Sequence, residues 1–402
     1  MQHPDGPSAL TKARSVVQAF NLTNRSRWRS NMKQTVVALA IMGIGLSVAH
    51  AQEMVVKLGS VAPLTGTIAH LGKDNENGAR LAIEDANAKG ITIGGKKVKF
   101  ELMGEDDQAD PRTGTTVAQR LMDAGVKGVV GHLNSGTTIP ASRIYNQAGV
   151  PMISPSATNP TLTRQGYKAV FRTIANDVQQ GGVLGKFIVG PLAAKTVAII
   201  DDRTAYGQGL ADETEKAVKA GGGKVVAREF TTDKATDFNA ILTKIRGAKP
   251  DVIFFGGMDA QGGPMLRQLK QLGVEAKFVT GDGGCSPEMI KLAGEAIGAN
   301  AYCSMAGLPL EKMPGGTEFR NRYKARFNAD VQIYSPYAYD AAMAMIKAMQ
   351  AANSTDPAKY LPELKKSNYP GVTGTVAFDD LGDIKDGAVT MYQFKAGTWA
   401  AM

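Results

Sequence analysis

Histidine and cysteine are scarce in this chain of 402 residues, which contains only four histidines and two cysteines. Beyond residue 51 only His70 and His132 remain, and the spacing of the His and Cys residues is not that of a zinc site. The low count excludes the common zinc modules, and we predict that the protein uses no metal or cofactor.

Motifs typical of enzymes are missing as well. The chain has no G-x-S-x-G segment of the kind that places a nucleophilic serine on a strand-to-helix turn. The segment GGVLGKF, residues 181–187, lacks the spacing and the final Ser or Thr of a phosphate-binding loop, and GGMDAQGG, residues 256–263, departs from G-x-G-x-x-G. We therefore expect no enzyme, and an α/β enzyme acting on a small acid is the alternative from another functional class.

Long basic runs are also lacking, although the formal net charge is +9. Six of the 46 basic residues and one of the 37 acidic residues lie within residues 1–51, which leaves a formal charge of +4 for the remainder. The remainder has no patch in which basic and aromatic residues alternate. These features argue against nucleic acid as a partner.

An apolar run near the N-terminus is typical of a secretory signal peptide. Lys33 precedes the apolar residues 36–48, which end at the triplet Ala-His-Ala. The run is too short to span a bilayer, and no cysteine follows it to carry a lipid anchor. We predict a leader over residues 1–51 with its core at 32–51, and export of the protein. Residues 1–31 reflect either an upstream start codon or an extended basic region.

Segments typical of strands and helices alternate along the rest of the chain, which is too long for one comfortable core. We predict strands at 55–62, 98–104, 126–131, 196–201, 224–230, 252–257 and 277–281. We predict helices at about 75–88, 206–220, 237–246 and 259–272, and one that begins at the start signal Asp110-Pro111 and ends at Gly125. This alternation predicts parallel sheets covered by helices on both faces. The two series predict two doubly wound α/β lobes.

Two clusters of small polar residues follow neighbouring predicted strands. One is GHLNSGTT, residues 131–138, and the other is SPSATNP, residues 154–160. Ligands of open α/β sheets lie beyond the carboxyl ends of the strands, where hydroxyls and the N–H groups of helix N-termini are available as donors. The hydroxyls of one cluster alone are equally consistent with helix capping. Two such clusters together indicate a site for a carboxylate.

An acid and an aromatic residue occupy corresponding places in the second series. Asp282 follows an apolar strand and is surrounded by glycines, and Tyr206 begins a predicted helix. A carboxylate there is able to accept hydrogen bonds from an ammonium group, although turn aspartates also bond to their own backbone. Donors on one lobe and an acid on the other predict an amino acid held between them.

The segments above occur in an order that resembles a known family, the periplasmic leucine/isoleucine/valine-binding proteins of bacterial ABC transporters, which have the type I periplasmic binding fold. The resemblance covers about residues 55–399 and rests on stretches such as LTGTIAHLGKDNENGARLAIEDANAKG, DDQADPRTGTTVAQRL, VVGHLNSGTTIPAS, FRTIANDVQQG, DDRTAYGQGL and FDDLGDIK. It implies a monomer that delivers a branched-chain or similar amino acid to membrane permease subunits. Urea, short amides and aromatic acids are the alternative ligands within this superfamily.

The resemblance also implies three hinge crossovers, near Asn176, Ser304 and Ile384. Lobe one would then comprise residues 52–175 and 304–384, and lobe two would comprise residues 176–303 and 385–402.

Binding residues follow from the same resemblance, position by position. Ser135 and Thr158 match residues that bind the ligand carboxylate, and Ser156 and Ala157 match residues that contribute backbone groups. Asp282 matches the acid that binds the ammonium group, which is a glutamate in the family.

Other matched positions concern the ligand side chain, and most of them depart from the family pattern. Tyr206 agrees with a pocket tyrosine, whereas Leu71 and Met258 stand where the family has aromatic residues, and Gln332 stands where it has a pocket phenylalanine. These differences leave the identity of the bound side chain open.

The two cysteines are Cys285 and Cys303. Export to an oxidising compartment favours a disulfide bond between them, and two buried free thiols are the alternative. The positions of the family disulfide are Ala109 and Asn134 here, so this bond would be a different one.

Overall fold

Two sheets rich in parallel strands organise the chain in the computed structural model, which describes residues 53–402; the predicted leader lies outside them. The strands of the first sheet are β1 (Met54–Ala62), β2 (Thr92–Ile93), β3 (Lys96–Asp106), β4 (Val129–Gly131), β5 (Met152–Ser154) and β6 (Val170–Arg172). Their order is β2-β3-β1-β4-β5-β6, and β2 alone runs antiparallel to its neighbour within this sheet.

The second sheet is built from later parts of the chain. Its strands are β7 (Thr196–Asp201), β8 (Lys224–Phe230), β9 (Val252–Gly256), β10 (Lys277–Thr280), β11 (Ala301–Met305), β14 (Thr390–Lys395) and β15 (Thr398–Ala401). The strands β12 (Asn368–Pro370) and β13 (Thr375–Ala377) form a separate two-stranded ribbon. The order is β15-β14-β11-β10-β9-β7-β8, with β14 and β15 antiparallel. We call the structure around the first sheet lobe one and that around the second sheet lobe two.

Helices cover both sheets, which confirms the predicted pair of doubly wound α/β lobes. They are α1 (Ala69–Ala88), α2 (Pro111–Asp123), α3 (Ser135–Gln147), α4 (Asp177–Val189), α5 (Ala205–Ala220), α6 (Asn239–Ala248), α7 (Asp259–Gln271), α8 (Pro287–Ala293), α9 (Gly316–Phe327), α10 (Ser335–Ala351) and α11 (Pro357–Lys365). Central strands such as β4 and β9 are buried throughout, because parallel strands are covered on both faces.

Helix α1 begins six residues earlier than the sequence predicts, at Ala69 instead of residue 75. The sequence carries no start signal there, since the residue before the helix, Ile68, makes no side-chain capping bond. By contrast, α2 begins as predicted at Asp110-Pro111, where the Asp110 carboxylate accepts hydrogen bonds from the N–H groups of Arg112 and Thr113.

Between residues 53 and 402 the chain passes between the two sheets three times. It leaves lobe one between β6 and α4, and it returns after β11 so that α10 packs on α1. Ser304 and Met305 still pair with β14, so the return lies beyond Ser304. The last passage follows Ile384, which forms an isolated bridge with Phe378.

A buried ion pair joins the first and third of these passages. The Arg172 guanidinium is fully buried and donates to the Asp383 carboxylate, with Nε and Oδ1 2.6 Å apart. Arg172 also donates to the carbonyl oxygens of Ala157 and Asn159, at 2.6 and 3.0 Å. Asn176 donates to the other Asp383 oxygen at 2.9 Å. The pair therefore connects the second Ser/Thr-rich loop, residues 154–160, to the first and third passages between the sheets.

Cys285 and Cys303 form a disulfide bond in the structure, with their Cα atoms 5.4 Å apart. The bond links the segment before α8 to β11, within lobe two. Among residues 53–402, no helix combines the length and the hydrophobicity that crossing a membrane requires.

Removal of the Asp383 carboxylate by Asp383→Ala would leave the Arg172 guanidinium buried without its counter-ion. We expect this change to lower the free energy of unfolding by about 3–5 kcal/mol, measured by urea denaturation. The control is Lys219→Ala, which removes a more exposed ion pair with Glu215 in α5 and should have little effect. Equal urea midpoints for the two variants would contradict this role of Asp383.

Candidate functional site

A cavity lies where the facing ends of the two lobes meet. Its lining combines small polar, aromatic and apolar residues: Leu133, Asn134, Ser135, Ser156 and Tyr334 from lobe one, and Tyr206, Met258 and Asp282 from lobe two. The structure thus brings together five residues that the sequence predicted, namely Ser135, Ser156, Tyr206, Met258 and Asp282.

Asp282 is the charged residue of this lining. It follows β10, is 1% exposed, and accepts hydrogen bonds from the hydroxyls of Tyr206 and Tyr334, at 2.9 and 2.7 Å. Burial raises the pKa of Asp282 above its ordinary value, and the hydrogen bonds from Tyr334, Gln180 and Tyr206 oppose that shift. The carboxylate is therefore held by donors from both lobes and retains the capacity to accept further hydrogen bonds.

Glycine is required beside Asp282 because the side chains of the cavity approach its backbone closely. A Cβ atom on Gly283 would lie 2.8 Å from the Met258 sulfur and 2.9 Å from the Tyr206 ring. The Gly283 N–H donates to the Tyr206 hydroxyl at 2.9 Å. The glycine run therefore allows Tyr206 and Met258 to pack directly over the turn that carries Asp282.

The hydroxyls of the first Ser/Thr cluster have two different roles. Thr137 and Thr138 donate to the Asn134 carbonyl, at 3.1 and 2.7 Å, so they belong to the internal bonding of α3. Ser135, the first residue of α3, lines the cavity and accepts a hydrogen bond from the Asn159 N–H at 3.2 Å. Helix capping alone therefore explains neither the bonds of Thr137 and Thr138 nor the bond of Ser135. Through its bond with Asn159, Ser135 connects the two clusters.

The second cluster is joined to the first through Ser156 as well. The Ser156 hydroxyl donates to the Leu133 carbonyl at 3.1 Å and accepts from Asn75 at 3.3 Å. Within the first cluster, the buried His132 ring bonds to Asp107 at 2.8 Å and to the Tyr145 hydroxyl at 2.9 Å. Both Ser/Thr-rich loops are thus fixed by buried hydrogen bonds within lobe one.

Three predicted residues lie near the cavity without lining it. Leu71 is fully buried in an apolar cluster that includes Tyr206 and Met258. Ala157 contributes its backbone to internal bonds, since its N–H donates to the Ser154 hydroxyl and its carbonyl accepts from Arg172.

Thr158, the third of these residues, is also buried. Its carbonyl oxygen accepts from the Asp177 N–H at 2.9 Å, at the start of the first passage between the sheets.

Sequence reasoning did not single out Tyr334, Leu133 or Asn134 for the site, and it matched Gln332 to the pocket phenylalanine of the family. The Gln332 amide donates to the Asp330 carbonyl and takes no part in the cavity lining. The Asp74 carboxylate of α1 accepts hydrogen bonds from the four consecutive N–H groups of residues 332–335, at 2.7–3.1 Å. These bonds fix the segment so that the Tyr334 hydroxyl reaches Asp282. In the sequence, Asp74 is a single acid within a helix, and no local pattern predicts that it binds this segment.

Further contacts hold the lobes together beside the cavity. The Asn159 amide donates to the Ala205 carbonyl at 2.6 Å, and the His70 ring bonds to the Asp259 carboxylate at 2.8 Å. We call the arrangement with these contacts and the Tyr334–Asp282 bond the closed arrangement. Within residues 53–402, no group of three or more His, Cys, Asp or Glu side chains is placed to hold a metal ion.

A second buried carboxylate near the cavity should affect stability. Burial raises the pKa of Asp177 to about 8 from an ordinary value of 3.8, and the charge of Asp282 adds to the shift. Because the folded-state pKa is the higher one, the stabilisation is complete below the ordinary value and is lost as the pH rises through about 8. We expect Asp177→Asn to reduce the fall in Tm between about pH 5 and pH 9, measured by scanning calorimetry.

The control for this measurement is Asp380→Asn, which changes an exposed acid. A wild-type pH profile that Asp177→Asn does not alter would contradict the assigned protonation of Asp177.

Most of the chain is similar in sequence to known proteins. The model of a periplasmic binding protein family matches residues 55–398. An amino acid binding protein of Pseudomonas aeruginosa is 36% identical over 364 residues, covering 90% of this chain and 96% of that protein. The leucine-, isoleucine-, valine-, threonine- and alanine-binding protein of the same organism is 35% identical and covers 90% of this chain and 95% of its own length.

Solved structures of binding proteins are similar to this chain as well. The leucine binding protein LivK of Thermotoga maritima superimposes with a TM-score of 0.80 at 28% identity, covering 86% of this chain and 97% of its own. The substrate binding protein LivJ of Streptococcus pneumoniae in complex with isoleucine superimposes with a TM-score of 0.78 at 28% identity, covering 86% of this chain and 98% of its own. A solute binding protein of R. palustris in complex with benzoate superimposes with a TM-score of 0.77 at 18% identity, covering 87% of this chain and 95% of its own. At this identity the similarity supports the fold alone.

Proposed function

Because this chain belongs to the periplasmic binding protein family, we propose that it captures a branched-chain or similar aliphatic amino acid and delivers it to a membrane ABC permease. We further propose that it does so as a periplasmic monomer exported by the predicted signal peptide. The family and the relatives named above are solute-binding proteins, so the chain is not an enzyme. The enzyme alternative is thereby set aside.

The position of Asp282 is the observation that carries this proposal. A buried carboxylate is costly unless it is paired, and two tyrosine hydroxyls satisfy Asp282 only in part. A ligand ammonium group would supply the missing positive charge through charge-assisted hydrogen bonds. The only acid among the residues that line the cavity is thus matched to the amino end of an amino acid.

The opposite side of the cavity suits the carboxylate end of the same ligand. Ser135 begins α3, where the helix N-terminus contributes partial positive charge and N–H donors, and Ser156 adds a hydroxyl. Leu133 and Met258 supply apolar lining for an aliphatic side chain. This division places anion recognition on lobe one and ammonium recognition on lobe two.

A binding cycle follows from that division. The ligand carboxylate binds first to lobe one, and rotation about the three connecting segments brings Asp282 and Tyr206 onto the ammonium group. The ligand bridges both lobes only in the closed arrangement, so it shifts the population toward that arrangement. The permease would then distinguish loaded from empty protein by lobe orientation.

The charge on Asp282 should dominate the affinity. We expect Asp282→Asn and Asp282→Ala to weaken leucine binding by about 2–5 kcal/mol in isothermal calorimetry, because the ammonium would be buried without its counter-ion. Asp380→Asn is the matched control, and unfolding curves establish that each variant is folded. Wild-type affinity in folded Asp282→Asn would remove Asp282 from the ligand site.

The ligand class is tested by thermal shift on protein that has been unfolded, dialysed and refolded to remove bound ligand. Leucine, isoleucine, valine, threonine and alanine are compared with urea, acetamide and benzoate. A ligand at one hundred times its Kd stabilises the folded state by about 2.7 kcal/mol, so we expect the aliphatic amino acids to raise the Tm. A rise with urea, acetamide or benzoate alone would instead support the alternative ligands.

A further inference from the structure

The contact between His70 and Asp259 joins the two lobes outside the cavity lining. His70 is the second residue of α1 in lobe one, and Asp259 is the first residue of α7 in lobe two. The ring Nε2 of His70 lies 2.8 Å from the Asp259 Oδ2. Neither residue has a part in the ligand site described above.

Asp259 is anchored within lobe two. The Ser286 hydroxyl donates to the same Oδ2 atom, and the carboxylate lies in the N-terminal turn of α7, where the helix dipole favours negative charge. The side chain of Asp259 is 0% exposed, whereas that of His70 is 24% exposed. Separation of the lobes would take His70 away from this carboxylate, while Asp259 would keep its bond to Ser286.

The charged groups that raise the pKa of His70 are acidic. They are Asp259 of α7, Glu288 of α8 and Asp74 of α1. Burial by itself lowers the pKa of His70, but the hydrogen bond and charge of Asp259, with smaller contributions from Glu288 and Asp74, raise it above its ordinary value. Asp259 and Glu288 belong to the other lobe, so this increase requires the closed arrangement.

From this geometry we propose that the His70–Asp259 pair stabilises the closed arrangement in its protonated form, and thereby makes retention of the ligand depend on pH. The proposal rests on the proposed binding function for its effect on the ligand. Because closure raises the pKa of His70, closure takes up a proton. The added stability is complete below the ordinary pKa of histidine, about 6.5, and is lost as the pH rises through the raised value.

The sign of this effect is opposite to that expected from Asp282. The ligand ammonium requires an ionised Asp282, so protonation of that carboxylate weakens binding as the pH falls. Protonation of His70 strengthens binding. The affinity should therefore fall toward acid pH through Asp282 and toward alkaline pH through His70.

The first test measures leucine affinity by calorimetry and leucine release by stopped-flow from about pH 5.5 to pH 9. We expect wild type to bind about threefold to tenfold more tightly near pH 6 than near pH 9, mainly through slower release. His70→Gln keeps a hydrogen-bonding side chain that does not titrate, so its profile should lack this increase. Asp177 titrates in both proteins, and the difference between their profiles isolates His70.

The second test needs no ligand. The pKa of His70 is measured by NMR titration in wild type and in Asp259→Asn, and we expect it to fall toward the ordinary histidine value in the variant. An unchanged pKa in Asp259→Asn, or identical pH profiles of leucine binding for wild type and His70→Gln, would overturn the proposal. Absence of amino acid binding at every pH would refute the proposed function instead, and the NMR comparison would still decide whether the pair is formed.

Discussion

A carboxylate buried between two lobes has to find its hydrogen-bond donors there, and the site of this protein is organised by that requirement. Asp282 receives one hydroxyl from its own lobe, through Tyr206, and one from the opposite lobe, through Tyr334. The second bond forms only when the lobes are together, so charge burial and lobe closure are the same event. In the proposed function, an amino acid with its ammonium at this point would complete a set of partners that the protein supplies only in part.

The segments that connect the lobes also fix the position of the loop that carries Ser156. Arg172 binds the carbonyl groups of the loop that carries Ser156, and its partner Asp383 lies beside the third passage between the sheets. The proposed donors for the ligand carboxylate are therefore attached to the segments that connect the lobes. In the proposed binding cycle, contacts away from the ligand, such as that between His70 and Asp259, would add their own free energy to closure.

Much of the fold and part of the site are legible in the sequence because the signals are local. Apolar runs, helical periodicity and the Asp110-Pro111 start signal identify the central strands and several helices. Ser135, Ser156 and Asp282 stand two to four residues after strands, so the chemistry of strand ends identifies them. The early start of α1 was missed because no capping side chain marks it, and Tyr334 was missed because four hydrogen bonds to Asp74 decide its position.

The sequence by itself determined the alternation of strands and helices, the exclusion of zinc and nucleotide motifs, and the small polar residues at the strand ends, since each depends on neighbours within a few positions. Only the tertiary structure decided which side chains meet across the lobes. Asp282 and Tyr334 are 52 residues apart, and His70 and Asp259 are 189 apart. The free energy of such contacts comes from burial and charge pairing in the closed arrangement, and no local pattern records it.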